Sequence, residues 1–175
     1  MLWRRYGWVS AHDEHRALCL REALDVEAMR EAATVLVGRH DFSAFRGSRC
    51  TAGSPTLMLD ALDVIVEQQD TLDGLRHGRG VQSISVRVRA QSFLRKQVRY
   101  LVAVLLQAGS GRLKSPAEDV RNILSSRNTS WGKPVAPHGL YLARVEYPQE
   151  AYLPESRASQ KVDGLQLKPA AVEAG

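Results

Sequence analysis

The segment Gln91-Ser-Phe-Leu-Arg-Lys-Gln-Val-Arg99 concentrates the side chains best suited to holding an anion. A strand pattern ends there and a helical one begins, which predicts Arg95, Lys96 and Arg99 in the first turns of a helix. Cations at that end oppose the helix dipole, so they call for carboxylates or phosphates nearby unless they form an ordinary solvated basic face. Arg99 differs from the other two, because it adjoins Val98 and precedes Val102 by one turn, at the edge of the apolar stripe. A partly buried guanidinium requires a partner. On the preceding strand, Ser83, Ser85, Arg87 and Arg89 share one face, which is either a solvated surface or one turned toward a polyanion.

Other chemistries find little support. His12, His15, His40, His77 and His138 lie apart, without the carboxylate or cysteine frame of a metal site. The glycines of Gly74-Leu-Arg-His-Gly-Arg-Gly80 do not sit between a strand and a helix as a phosphate loop would. No G-x-S-x-G elbow occurs, and Ser43 near His40 is a coincidence of sequence. Cys19 and Cys50 are neither clustered for zinc nor dense enough for a disulfide scaffold, which favours a reducing compartment. With 175 residues, 44% of them hydrophobic, the chain is long enough for one ordinary core. A net charge of +5 favours a polyanionic partner, and charge alone does not separate nucleic acid from an acidic membrane. The longest apolar run, Leu101 to Leu106, is too short to cross a bilayer, so a soluble protein without a membrane partner is expected. Asp13 and Glu14 sit badly in a mitochondrial presequence, yet nothing decides between mitochondrion and cytoplasm.

The elements that must position these residues follow from periodicity. Residues 1–24 show no clean period, although Trp3, Tyr6 and Trp8 alternate as a short strand would. Asp25 is an N-cap for a helix with the stripe Val26, Met29, Ala33 and Leu36, ending at Gly38. Arg39 to Gly47 reads as an ordered loop or a short turn of helix. Leu57–Val66 and Val81–Ala90 are strands, expected as antiparallel neighbours joined by a long polar loop, and Ile84, Val86, Val88 and Ala90 share a face. A helix over Phe93–Leu106 presents Leu94, Val98, Leu101, Val102 and Leu105 to the core. Ser115-Pro-Ala-Glu118 opens another as a capping box with proline at N1. Gly139–Tyr147 alternates as a final strand, and residues 149–175 form a polar tail expected to be disordered. The sum is an α+β fold, a mainly antiparallel sheet with helices on one face, with its domain over residues 25–148.

Three segments together resemble the TruA family of tRNA pseudouridine synthases. They are Gly38-Arg-His-Asp-Phe-Ser-Ala-Phe-Arg46, Ser92-Phe-Leu-Arg-Lys-Gln-Val-Arg99, and Ala136-Pro-His-Gly-Leu-Tyr-Leu142 with Tyr147-Pro148. Leu24-Asp25 with Met29, Ala32 and Ala33 resembles the family's helix before the first motif, and Arg16-Ala-Leu-Cys19 looks closest to the synthase-like branch of animal cells. The likeness covers about residues 16 to 150. One departure is Ser54-Pro-Thr-Leu57, which lacks the arginine that the family places before Thr-Leu or Thr-Ile.

The resemblance implies the second half of the pseudouridine synthase fold, whose two related halves share one sheet and a basic cleft for RNA. It implies isomerisation of a uridine in tRNA or another structured RNA, with no metal and no organic cofactor. The family's catalytic aspartate belongs to a Gly-Arg-Thr-Asp-Ala-Gly run in the first half, and none of the nine aspartates here follows an Arg-Thr pair. The nucleophile is therefore expected outside this chain, in an N-terminal half or a partner copy. By the same resemblance Arg99 pairs with that carboxylate, Leu140 packs on the uracil, and Tyr6 in Arg5-Tyr6-Gly-Trp8 is the substrate-contacting tyrosine. His40, Asp41, Phe42 and Phe45 are supporting residues, the last three as cleft wall. Arg87, Arg89, Arg95 and Lys96 are the candidates for RNA phosphates. The alternative is a non-catalytic RNA-binding module descended from a synthase.

Overall fold

The structure is a computed structural model, and it describes residues 2–5, 16–20, 22–68 and 82–147. The chain divides into two units, Met1–Tyr141 and Leu142–Gly175. In the first unit the described elements are β1 (Leu2–Arg5), β2 (Leu18–Leu20), α1 (Val26–Leu36), β3 (Gly38–Asp41) and a 3-10 turn (Ser43–Phe45). They continue with β4 (Thr56–Gln68), β5 (Gln82–Ala90), α2 (Gln97–Gly109) and α3 (Pro116–Ser126).

Five strands form one sheet in the order β2-β1-β5-β4-β3, antiparallel throughout except for the β1/β2 pair. The expected β4/β5 pairing holds, and β-branched and aliphatic residues carry it, with Val64 opposite Val86 and Leu62 opposite Val88. A bulge between Leu59 and Ala61 lets Leu59 and Leu62, three apart, both face inward while Asp60 is exposed. β1 and β2 extend the sheet beyond the expected domain start at residue 25. Trp3 falls in β1, whereas Tyr6, Trp8, the hairpin loop between β4 and β5, and the tail from residue 148 lie outside the described residues.

α1 begins where expected, with the Asp25 carboxylate accepting from the Ala28 N–H at 3.1 Å. It buries Met29, Ala32, Ala33 and Leu36 against β4, α2 and α3. Gly38, at φ +111°, makes the turn from helix to strand that other residues adopt only under strain. The Arg39–Gly47 stretch, expected as loop or helical turn, opens as a strand, because Gly38–Asp41 pairs with Thr56–Leu59 before the 3-10 turn. Four residues are too few to show a period, so the strand is set by its partner.

α2 is the buried helix, with Leu101, Val104 and Leu105 wholly enclosed, each contributing roughly 1.5 to 3 kcal/mol by burial. It starts at Gln97, four residues later than the sequence suggests, and Val98 is only half buried. α3 starts at Pro116 with Val120 buried, but the capping box is not made. The Ser115 side chain caps nothing, and Asp119 rather than Glu118 reaches back to the Ser115 N–H at 3.2 Å. The expected final strand is absent as well: Leu140 N–H closes a turn onto Pro137 O at 3.1 Å, and residues 141–147 have no regular structure. Alternation assigns side chains to faces, but a strand also needs a partner, and among the described residues this segment is in no ladder. In the second unit Arg144 and Glu146 form an exposed ion pair at 3.1 Å.

Candidate functional site

The site is built around the turn that delivers β5 into α2. Leu94 N–H donates to the Gln97 Oε1 at 2.7 Å and Gln97 N–H donates back to Leu94 O at 3.0 Å, closing the turn on a glutamine that is only 1% exposed. Between them Lys96 takes a left-handed conformation, φ 62°, which ends the strand and delays the helix. Arg95 and Lys96 are thus exposed turn residues ahead of the helix rather than part of its first turn, a correction to the sequence reading. Of the three cations only Arg99 belongs to α2.

Arg99 is half buried, and its partner is a backbone carbonyl. Its Nε donates to Val135 O at 2.6 Å, and Val135 N–H returns a bond to Arg99 O at 3.3 Å. Trp131 anchors the segment that carries Val135, since its Nε1 donates to Ala44 O at 2.8 Å. Its ring lies 5.2 Å from that of Phe45 and 5.8 Å from that of Tyr100, so it joins the 3-10 turn to α2. Phe42 and Phe45 continue the cluster at 6.0 Å, with His40 edge-on to Phe42 at 5.8 Å. Both phenylalanines are fully buried, so they brace the site from behind and are not its wall. Leu140 is 42% exposed, five residues beyond Val135 on the same segment.

The first and second motifs meet at Gly47. Its N–H donates to Arg95 O at 2.8 Å, and a Cβ there would stand 2.8 Å from that oxygen and 3.2 Å from Lys96 Cδ. Arg46 folds the following loop by donating from Nη2 to Cys50 O at 2.8 Å and Ala52 O at 2.7 Å. Arg95 N–H meets Cys50 Sγ at 3.4 Å. The Cys50 thiol is held below its ordinary range by backbone hydrogen bonds from Ala52 and then Arg95, with Arg46 adding to both, so the loop favours negative charge. Asp41 is held low mainly by Ser43, whose N–H it accepts at 2.9 Å, and further by Arg127, whose Nε lies 3.3 Å away.

The four cations expected to meet phosphate form two sets. Arg87 and Arg89 are exposed on the sheet face away from the helices, opposite Asp63 and Ala61 on β4. Arg95 and Lys96 stand in the turn against Gly47. Tyr6 lies outside the described residues. Among the described residues no group of His, Cys, Asp or Glu is arranged to hold a metal, and no helix is long and apolar enough to cross a membrane. Sequence reasoning missed Gln97, Trp131 and Gly47. A glutamine on the apolar side of a helix was the available signal for the first, whereas the other two act through contacts distant in sequence.

With this geometry in view, comparison with known proteins is direct. Residues 32–148 match the model of the tRNA pseudouridine synthase family. The chain is 46% identical over 138 residues to tRNA pseudouridine synthase A of Afipia carboxidovorans, covering 78% of this chain and 50% of that one. It is 42% identical to the synthase A of a Ruegeria species (82% and 51% covered) and 45% identical to that of Chromobacterium violaceum (76% and 45%). The chain spans about half the length of these curated relatives. They are bacterial, and none of them speaks for the animal branch that Arg16–Cys19 resembles. The three motifs, the α+β sheet and the match over most of the domain agree: the chain belongs to the TruA family of tRNA pseudouridine synthases.

Proposed function

We propose that this chain is the arginine-bearing, RNA-holding half of a tRNA pseudouridine synthase, with its domain over residues 25–148, and that the nucleophilic aspartate comes from outside these 175 residues. The observation that carries the reading is the Arg99–Val135 pair. An arginine fixed through Nε to a carbonyl still has its end-on Nη pair for a carboxylate, and the half-buried setting strengthens such a bond. In this reading Arg99 keeps the incoming aspartate ionised and aimed at the ribose, while the exposed Leu140 packs on the face of the uracil once the base has left its stack. The N1–C1′ bond breaks, the base turns, a C5–C1′ bond forms, and C5 gives up its proton to solvent while N1 ends protonated. RNA phosphates are met by Arg95 and Lys96 in the turn and by Arg87 and Arg89 on the sheet.

The second reading is an RNA-binding module without catalysis, carried by the same exposed cations. One experiment separates the two: the chain is mixed with a polypeptide carrying the family's Gly-Arg-Thr-Asp half, and tritium release from C5-labelled uridine in unmodified tRNA is followed. Release by the mixture supports the synthase half. RNA binding with no release under any pairing supports the module.

A further inference from the structure

Among the described residues three non-glycine positions have a left-handed backbone, and all three are cations: Arg49 (φ 60°), Lys96 (φ 62°) and Arg127 (φ 55°). A side chain in that conformation costs roughly 1 to 2 kcal/mol, which glycine would avoid. Lys and Arg make up 24 of 175 residues, so composition does not account for three out of three. Folding alone would favour glycine at Arg127 above all, where the residue closes the C-terminus of α3.

The three converge. Arg49 and Arg127 line one open groove of about 500 Å³ together with Ser43, Arg46, Gly47 and Thr129, and the Lys96 side chain lies against Gly47. Arg46 is committed to carbonyls of its own loop, and Arg127 shares its Nε with Asp41. Arg49 and Lys96 are exposed, and among the described residues their side-chain nitrogens make no hydrogen bond or ion pair. Arg95, which bonds Arg49 O through Nη1 at 3.3 Å, ties this groove to the turn that leads to Arg99. Three cations line the groove, Arg46, Arg49 and Arg127, and no carboxylate does among the described residues; Asp41, beside it, is already engaged by Ser43 N–H and Arg127.

We infer that this groove is a second phosphate-binding station, which seats the backbone of the structured RNA away from the nucleotide held at Arg99. The inference rests on the RNA-binding reading above. Open, hydroxyl-lined and cationic, the groove suits phosphate oxygens approached by forked guanidinium groups. Of the three left-handed cations Arg49 and Arg127 line the groove, and Lys96 stands beside it against Gly47.

The test uses the 175-residue chain and an unmodified tRNA transcript in filter binding across a salt series. Arg49→Gly, Arg127→Gly and the double variant remove the cations while relieving backbone strain; the Arg49→Gly thermal midpoint should not fall, whereas Arg127→Gly also gives up its pair with Asp41. Lys114→Gln is the control, an equal charge loss just before the other end of α3, about 16 Å from Arg127 by helix rise. Each glycine variant is expected to lower the slope of log affinity against log salt by about 0.7 to 0.9, and the double variant by roughly twice that. The control should shift it by much less. Unchanged slopes in a chain that still binds tRNA would overturn the groove and leave the RNA-binding reading intact. No binding by the unaltered chain at low salt would overturn both. Should Arg127→Gly unfold through loss of the Asp41 pair, Arg49→Gly decides alone, since its side chain is bonded to no described residue.

Discussion

Arg99 and Val135 are joined twice, by Arg99 Nε to Val135 O at 2.6 Å and by Val135 N–H to Arg99 O at 3.3 Å. The pair locks the first turn of a buried helix to a partly buried segment 36 residues later in the chain. Neither residue holds this geometry unaided. Trp131 pins the segment to the 3-10 turn, and Gly47 pins the loop after that turn to the strand-to-helix junction, so the first two motifs are braced against each other and against the segment that leads into the third.

Trp131→Phe keeps most of the ring packing but leaves Ala44 O without its donor. The expected cost is about 1 to 3 kcal/mol, read as a fall in the thermal midpoint of roughly 2 to 10 °C. Trp131→Leu, which also loses the contacts with Phe45 and Tyr100, should fall further. Equal midpoints for wild type and Trp131→Phe would show that the indole bond contributes nothing to the brace.

Gly47→Ala places a methyl 2.8 Å from a backbone oxygen that cannot move without opening the turn at Arg95. Overpacking of this kind typically costs about 1 to 3 kcal/mol. Hydrogen exchange should quicken at the Gly47 and Arg95 amides while the α1 amides keep their protection relative to global unfolding. A variant as stable as wild type, with unaltered exchange at both amides, would contradict the close approach.

How much of this was legible in the sequence follows from the range of each interaction. α1 and its Asp25 cap, the β4/β5 pair and the body of α3 were readable, because hydrophobic period and local capping chemistry determine them. The start of α2 differs from the sequence reading because the break is a left-handed lysine rather than a glycine, and the one signal there was Gln97 on the apolar side of the helix. The full burial of Phe45 is set in part by Trp131, far along the chain, and no local pattern shows it. The segment Gly139–Tyr147 has strand alternation without a ladder, since pairing is a property of two segments and alternation of one. Arg99 was legible as a partly buried cation at the edge of a stripe, but its carbonyl partner was not.

Acid should release Asp41. Its carboxyl titrates below the ordinary value of 3.8, first because of Ser43 and further because of Arg127, so the folded state binds this proton less readily than the unfolded chain. The stabilisation is therefore fully present above the ordinary value, and it is lost as pH falls through 3.8 toward the lower folded value. Asp41→Asn should cost stability at neutral pH and should flatten the stability profile in that acid window. An Asp41→Asn profile parallel to that of wild type down to pH of about 2 would contradict the assignment.

The proposed pairing of Arg99 with a nucleophilic aspartate supplied from outside these 175 residues is open to a direct measurement. The direct measurement joins residues 1–175 to the part of the Afipia carboxidovorans synthase A that lies outside the matched region, and follows single-turnover pseudouridine formation in tRNA. Arg99→Lys and Arg99→Ala are measured beside it, with filter binding on the same preparations. Loss of one member of a buried charge pair costs roughly 3 to 5 kcal/mol, so the expected rate falls by about two to four powers of ten in both variants while tRNA affinity changes little. Near-normal rates in both would contradict the account and leave Arg99 as a structural tie to Val135.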